Sequence, residues 1–374
     1  MSAHFRDLDD TDGLVAADRD GLLRSAAMSG AHVRAVAHAV AEGALDRLTD
    51  LRPRAVVLVT GRSAAADRAA RFVVALLASR FDAPLVVTPS LPGWIGPLDV
   101  VVVAGDDPGD RAYADASQRA LRRRAELVTA VPVEGPVADA IGSDPVADLS
   151  PRLRVDDRFA FSRLVAVFVA VCTAFDAVRL HPAPSSLADI ADLLDAEAAA
   201  DHPSHESFHN QAKLLALRVA GRPVVWAGDT PASTVLAAHI ASTVFTVAGI
   251  ASAADDEQSA LARLRVSAHS GASAADSIFY DPDFDDAPPA EQPRVILVTT
   301  ANRGWGVEQR VSALGDVDVV TEQSDAPDYS GGLAEQTRRD PEFSDVPADL
   351  SAYLTVAVRA DLASAYLELA GETA

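Results

Sequence analysis

Two residue types are nearly absent from this sequence of 374 residues, which has one cysteine, Cys172, and one lysine, Lys213. A single cysteine excludes a disulfide within the chain, so the sequence is typical of a reducing compartment and predicts a cytoplasmic protein. Cys172 lies inside an apolar run. We expect it to be a buried thiol without a chemical role.

Positive charge is also scarce, since 32 lysine and arginine residues stand against 54 aspartate and glutamate residues and the net charge is −22. A protein that binds nucleic acid needs a basic face, so this balance argues against such a partner. It does not exclude a phosphorylated small molecule. A local pocket can be basic inside an acidic protein, because charges more than about 8 Å away are screened at cellular salt.

Long hydrophobic runs are missing as well. The longest, LVAVFVAVCTAF from Leu164, is shorter than the roughly 20 residues that span a bilayer. The N-terminus, MSAHFRDLDDTDGL, is acidic where a signal peptide is basic and then apolar. We therefore expect no membrane segment, and we predict that the run from Leu164 belongs to a buried apolar helix over 159–180.

Apolar runs that end in glycine alternate with helical segments in the first half of the chain. RAVVLVTG (54–61) and LDVVVVAG (98–105) are typical of fully buried strands, and each is followed by an amphipathic segment. The second half repeats this order in 221–249, with further strands at 294–300 and 316–322. The alternation predicts an α/β fold with two tandem parallel sheets flanked by helices.

The breaker HPAPSS marks the connection between the two units. We predict an N-terminal domain over 1–180 and a C-terminal domain over 181–374. A helix is expected from about Val307. The segment 281–293 is interpreted as a loop, and 323–348 as polar and partly mobile.

Ligands of parallel sheets bind at the carboxyl ends of strands, which draws attention to the loop VTGRS. Gly61 and Ser63 place backbone N–H groups and a hydroxyl at a helix start, where a phosphate binds well. Arg62 can add a charge-assisted contact. The alternative is an ordinary helix N-cap at Ser63. The loop lacks G-x-G-x-x-G, so we predict no dinucleotide and no other cofactor.

The loop after the next strand, AGDDPGDRAY, is acidic. Asp106, Asp107 and Asp110 repel phosphate but can bind Mg²⁺ through carboxylate oxygens. A capped, solvated turn explains the same residues and is the preferred interpretation.

The stretch DHPSHESFHNQAK holds His202, His205 and His209. Three imidazoles can bind zinc, but Pro203 interrupts the helical spacing and no H-E-x-x-H motif is present. Histidines near helix starts commonly serve as caps or surface residues. We therefore predict no metal site.

At this stretch the chain resembles the sugar-isomerase (SIS) fold and, within it, the bifunctional phosphoglucose/phosphomannose isomerase family, in particular its divergent TobH-like branch. That family has N-P-A-K-x-L-A before G-R-x-P-V-V-x-G, and its loop G-x-G-G-S appears here as V-T-G-R-S. The residues that match the first two motifs are Asn210, Ala212, Lys213, Leu215, Ala216, Gly221, Arg222, Pro223, Val224, Val225 and Gly228.

The resemblance implies that HNQAK begins the helix that enters the second domain. It further implies a homodimer and a sugar-phosphate ligand. The substrate-binding residues that it implies are Gly61, Arg62, Ser63, His209, Asn210 and Lys213.

The catalytic motifs of the family are altered. Its phosphate loop S-x-S-G-N-T-x-E-T appears as AGDDPGDRA, without a hydroxyl, and its catalytic Glu and His are not matched in type. His239 falls near the first position and Glu257 near the second. Aldose–ketose isomerisation needs a base and an acid beside an anchored substrate. His239 and Glu257 could form a replacement pair, or His239 could be a core residue.

Three hypotheses follow. The first is an isomerase-like protein of glucose or mannose 6-phosphate metabolism, with or without retained catalysis. The second is a non-catalytic phosphosugar-binding regulatory or partner protein on the same fold. The third is a metal-dependent enzyme that uses Asp106, Asp107 and Asp110.

Overall fold

The computed structural model describes residues 6–270, 293–323 and 344–371, within which the strands form two parallel sheets. The first sheet has the order β2-β1-β3-β4-β5 and the second the order β7-β6-β8-β9. This confirms the predicted α/β fold. The strands are β1 (Ala55–Val59), β2 (Leu85–Thr88), β3 (Asp99–Ala104), β4 (Glu126–Ala130), β5 (Ala147–Asp148), β6 (Val224–Gly228), β7 (Ala253–Asp256), β8 (Arg294–Val298) and β9 (Val317–Val320).

Helices surround both sheets. They are α1 (Thr11–Ala17), α2 (Leu22–Ala26), α3 (Ser29–Ala41), α4 (Ala64–Leu77), α5 (Arg111–Arg122), α6 (Gly135–Ile141), α7 (Phe161–Thr173), α8 (Leu187–Ala200), α9 (Gln211–Val219), α10 (Pro231–Ala248), α11 (Glu257–Ser270), α12 (Ala301–Val311) and α13 (Leu350–Ala370).

The two faces of each sheet belong to different apolar clusters, because successive side chains of a strand point to opposite sides. In β1, Val56 and Leu58 join a large central cluster, whereas Val57 and Val59 join a smaller one with α5 and α6. In β8, Ile296 joins the same central cluster. One continuous core therefore lies between the two sheets, formed mainly by α4, α7, α10 and α13. All strands of the first sheet precede residue 180, and the domain boundary there stays a prediction.

Among the helices that the structure describes, one, α10, is long and apolar enough to cross a membrane by length and composition. It packs against β6, α4 and α13, and just over half of it is buried inside the protein. The core helix of a globular protein has the same length and composition, and these contacts are those of such a helix.

Three helix predictions have clear outcomes. The helix at HNQAK is confirmed, since α9 begins at Gln211 and the Asn210 side chain accepts the N–H of Lys213 at 2.8 Å. The helix expected over 159–180 is wrong in length. It ends at Thr173, whose hydroxyl donates to backbone carbonyls of its own last turn.

The helix expected from about Val307 begins earlier, at Ala301, because the Glu322 carboxylate accepts the N–H of Ala301 at 2.8 Å. Glu322 follows β9, the strand next to β8, so this contact leaves no local signal in the sequence. The predicted loop 281–293 and most of the polar segment 323–348 lie outside the described residues.

Candidate functional site

Each sheet has one place where neighbouring strands send their connections to opposite sides. Parallel α/β sheets bind ligands in the crevice that opens there, at the carboxyl ends of the strands. In the first sheet the place lies between β1 and β3, and in the second between β6 and β8. The loops 60–63 and 105–110 border the first crevice.

The floor of the first crevice is the ring of Tyr113. Its hydroxyl donates to the carbonyl of Thr60 at 2.8 Å. A Cβ on Gly61 would lie 2.5 Å from the Tyr113 ring, and one on Gly105 would lie 2.0 Å from the hydroxyl oxygen. Burial, with help from Asp106 and Asp110, raises the pKa of Tyr113, so the phenol stays neutral. Both loops thus approach the ring too closely for any residue except glycine.

We expect Gly61→Ala to lower the free energy of unfolding by about 2 kcal/mol or more. The substitution combines a clash with Tyr113 and a φ of +55°, which disfavours residues with a side chain. Urea unfolding measures the change. Gly93→Ala is the control, because a Cβ there meets nothing within 4 Å, and its effect should stay near about 0.5 kcal/mol. Equal effects at both positions would contradict the role of Tyr113 as the floor.

Two carboxylates accept hydrogen bonds from donors that a phosphate would use in this crevice. The Ser63 hydroxyl donates to Asp106 at 3.2 Å, and the backbone N–H of Arg62 donates to Asp110 at 3.1 Å. The Ser63 side chain also caps α4 by accepting the N–H of Ala66. The Arg62 guanidinium is 86% exposed and lies 3.8 Å from Asp110. An incoming phosphate must therefore compete with the chain's own anions, with Arg62 free to turn toward it.

The acidic loop offers little to a metal ion in this arrangement. Asp110 caps α5, accepting the N–H of Ala112, and Asp107 accepts the N–H of Gly109. Within the described ranges, no group of three or more His, Cys, Asp or Glu side chains is placed to hold a metal ion.

A buried arginine connects the loops of β3 and β4 from below. Arg163 donates to the carbonyls of Gly105 and Ala130, both at 3.2 Å. Burial lowers its pKa to about 10, while Asp106 and Asp157 oppose that change, so it remains charged at neutral pH. Arg163 and His32 line a cavity of about 10 Å³, room for roughly one water. Burial and Arg163 lower the pKa of His32 to about 4, which leaves the imidazole neutral.

The second crevice is filled by a buried polar network. Arg303 donates to Asp229 at 2.9 Å, to Asp349 at 3.0 Å and to the hydroxyl of Tyr353. Asp345 accepts the hydroxyl of Thr230 at 2.7 Å.

The side chains that form the ion pairs of this network are at most 8% exposed. Asp345 also accepts the N–H of Ala232 at the start of α10, so a carboxylate of the chain holds the position of an anion here too. Burial by itself lowers the pKa of Arg303, but Tyr353, Asp229 and Asp349 outweigh it and raise the pKa. The network closes this crevice, which leaves the first as the candidate ligand site.

The candidate catalytic residues have their contacts outside the loops 60–63 and 105–110. His239, in the middle of α10, is 1% exposed and stacks on Phe161 at a centroid distance of 3.9 Å. Its Nε2 lies 3.9 Å from Asp361 Oδ1. Glu257 forms an ion pair with Arg310 at 2.6 Å. Each residue is engaged with other partners, and a catalytic role for the pair stays a prediction.

In the stretch that resembles the isomerase motif, the polar side chains form hydrogen bonds within the chain. The Lys213 ammonium donates to the carbonyls of Pro203 at 2.9 Å and His205 at 2.7 Å, and lies 3.7 Å from Asp9. Asn210 donates to the carbonyl of His202 while capping α9.

The three histidines of this stretch have separate partners. The ring of His202 bonds to the Ser204 hydroxyl, that of His205 bonds to the carbonyl of Ala200, and that of His209 contacts Phe208. A substrate-binding role for His209, Asn210 and Lys213 stays a prediction.

Sequence reasoning missed Tyr113 and Arg163, which shape the first crevice. Tyr113 gave no signal, because it sits inside an amphipathic helix where an aromatic residue is ordinary. Arg163 offered one, since a charge at the edge of a long apolar run is buried and must have partners.

No protein-family profile matches the chain, and no curated protein matches it. Solved structures do match. The C-terminal domain of glucosamine-fructose-6-phosphate aminotransferase from Francisella tularensis is similar with a TM-score of 0.55 and 11% identity, covering 94% of this chain and 96% of that one.

A Bacillus subtilis protein described as a phosphosugar isomerase is similar with a TM-score of 0.52 and 12% identity, covering 91% of this chain and 93% of that one. A Salmonella typhimurium protein described as sugar-binding is similar with a TM-score of 0.50 and 12% identity, covering 96% of this chain and 98% of that one. At these identities the matches establish the fold, and the chain has the two-sheet SIS type of α/β fold.

Proposed function

We propose that this protein binds a hexose 6-phosphate in the first crevice, as a phosphosugar isomerase-like protein that has lost the inherited proton-transfer machinery. Within that proposal it is a cytoplasmic homodimer of glucose or mannose 6-phosphate metabolism and belongs to the divergent TobH-like branch. The non-catalytic binding role is thereby preferred to the isomerase.

The loop 61–63 carries the binding half of this proposal. It stands at the switch point between β1 and β3 and begins α4, so backbone N–H groups, the Ser63 hydroxyl and the Arg62 guanidinium converge there. A helix start with these groups is a common phosphate site. The similar proteins described as phosphosugar isomerase and sugar-binding support a sugar phosphate as the ligand class.

The position of His239 carries the non-catalytic half. A base or acid must come within hydrogen-bond distance of the proton that it transfers. His239 stacks on Phe161 in the core, and burial together with Arg68 holds its pKa well below 6.5. Such an imidazole is a poor proton carrier for a sugar bound at the sheet edge.

A coupled assay with fructose 6-phosphate tests the proposal. We expect no formation of glucose 6-phosphate or mannose 6-phosphate, and we expect calorimetry to show binding that Ser63→Ala weakens about tenfold. Turnover that disappears in His239→Ala would establish the isomerase instead. Absence of binding to any hexose 6-phosphate would overturn the proposal.

The acidic loop gives a second test, in the direction of improved binding. Asp106→Ser removes the carboxylate that accepts the Ser63 hydroxyl and adds a hydroxyl of its own. Because a like charge near a phosphate costs on the order of 1 kcal/mol or more, we expect fructose 6-phosphate to bind about tenfold more tightly.

Asp115→Asn is the control for this gain, because it removes an exposed carboxylate of the same helix region that pairs with Arg119. Its affinity should equal that of the wild type. A weaker or unchanged affinity in Asp106→Ser would place the phosphate elsewhere.

A further inference from the structure

A cavity of about 660 Å³ opens at the end of the first sheet opposite the first crevice. Its walls carry Arg52, Arg80 and Arg179 together with Asp82 and Asp176. Arg52 precedes β1 and Asp82 precedes β2, so the cavity lies at the amino ends of the strands. The volume falls in the range of about 300–1,000 Å³ that is typical of small-molecule sites.

The walls are held by contacts of the chain with itself. The N–H of Asp82 donates to the carbonyl of Arg179 at 3.0 Å, next to an antiparallel bridge between Phe81 and Leu180. Arg52 donates to the carbonyl of Ala177 at 3.1 Å and to Asp82 at 2.9 Å. The cavity therefore has its shape before any ligand arrives, which lowers the ordering cost of binding.

Charge decides what the cavity can hold. Three guanidinium groups against two carboxylates give a local balance of +1, in a chain with a net charge of −22. Arg52 is committed to Asp82, but Arg179 is exposed and its side chain makes no hydrogen bond or ion pair within the described part of the chain. An arginine without a partner in a polar cavity is suited to the oxygens of a phosphate group.

We propose that this cavity binds a small molecule that carries more than one phosphate group. The site is separate from the first crevice, because Ser63 and Ser79 stand at opposite ends of α4, and its 14 residues span about 21 Å. The proposal does not rest on the proposed function.

Calorimetric titration with inorganic pyrophosphate tests this site. We expect the wild type to bind, Arg179→Ala to bind at least tenfold more weakly, and Asp176→Asn to bind more tightly because a facing carboxylate is gone. Arg154→Ala is the matched control. It removes the same charge from a side chain that is 98% exposed and does not line the cavity, and it should bind like the wild type.

No binding by the wild type, or equal binding by wild type and Arg179→Ala, would overturn the proposal. Equal losses in Arg179→Ala and Arg154→Ala would also overturn it, since they would reflect general charge alone. Ser63→Ala tests hexose 6-phosphate binding in the first crevice, and Arg179→Ala tests pyrophosphate binding in this cavity. The proposed function and the proposed second site can therefore fail independently.

Discussion

Arg303→Leu should lower the free energy of unfolding by about 3–5 kcal/mol, because the substitution leaves buried carboxylates without their counter-charge. Arg303 is 8% exposed and bridges Asp229 and Asp349, and Asp345 lies 4.0 Å away. The network ties β6 and α12 to the start of α13. We therefore expect the second sheet of Arg303→Leu to unfold before the first. Urea unfolding measures the total loss of unfolding free energy.

Arg310→Leu is the matched control on the same helix. Its ion pair with Glu257 is half exposed on the arginine side, so the change should cost no more than about 1 kcal/mol. The loss of stability in Arg303→Lys should lie between those of Arg303→Leu and Arg310→Leu. An ammonium keeps the charge, but it lacks the planar set of donors by which a guanidinium bonds to several partners at once. Similar losses for Arg303→Leu and Arg310→Leu would show that the network does not stabilise the second unit.

Asp361→Asn should stabilise the protein, and the gain should increase as the pH rises. Asp361 is 1% exposed, and neither carboxyl oxygen has a hydrogen-bond partner among the described residues. Burial raises its pKa well above 3.8, which favours the neutral acid in the folded protein. Asparagine fills the same space without a proton to lose.

The sign follows from proton binding. Above pH 3.8 the unfolded chain has lost the proton of Asp361, whereas the folded protein keeps it. The free energy of unfolding therefore falls as pH rises, by about 1.4 kcal/mol per pH unit, until the pKa in the folded state is reached. His239 acts in the opposite direction and only below pH 6.5, where the unfolded imidazole gains a proton that the buried one does not take up.

Urea unfolding between about pH 6.5 and about pH 8 isolates the contribution of Asp361. Over this range we expect the advantage of Asp361→Asn over wild type to grow with pH, by at most about 1.4 kcal/mol per pH unit while the folded carboxyl group keeps its proton. Asp192→Asn is the control, since Asp192 is 77% exposed and pairs with Arg34 at the surface, and its effect should not change with pH there. A constant difference for Asp361→Asn would mean that the carboxyl group is ionised in the folded core.

Much of the fold was predictable because the strongest signals are local. The runs around Val57, Val101 and Ile296 are continuous apolar segments, and such segments form strands buried on both faces. Asn210 indicated the start of α9, because a helix N-cap is a contact between residues three apart.

One short strand was missed for the same reason. The strand β7 reads AADD and is exposed along its length, so neither its composition nor its periodicity resembles a strand. It forms because β6 offers it an edge to pair with.

The sequence by itself determined the two parallel sheets and the glycine loop at 61–63, because apolar runs and turn residues act over a few positions. Only the tertiary structure decided what each charged residue does. Asp106 binds Ser63, Arg303 closes the second crevice and His239 is enclosed by Phe161 and Asp361. The reason is physical, since the burial and the partners that set a charge's role come from segments distant in sequence.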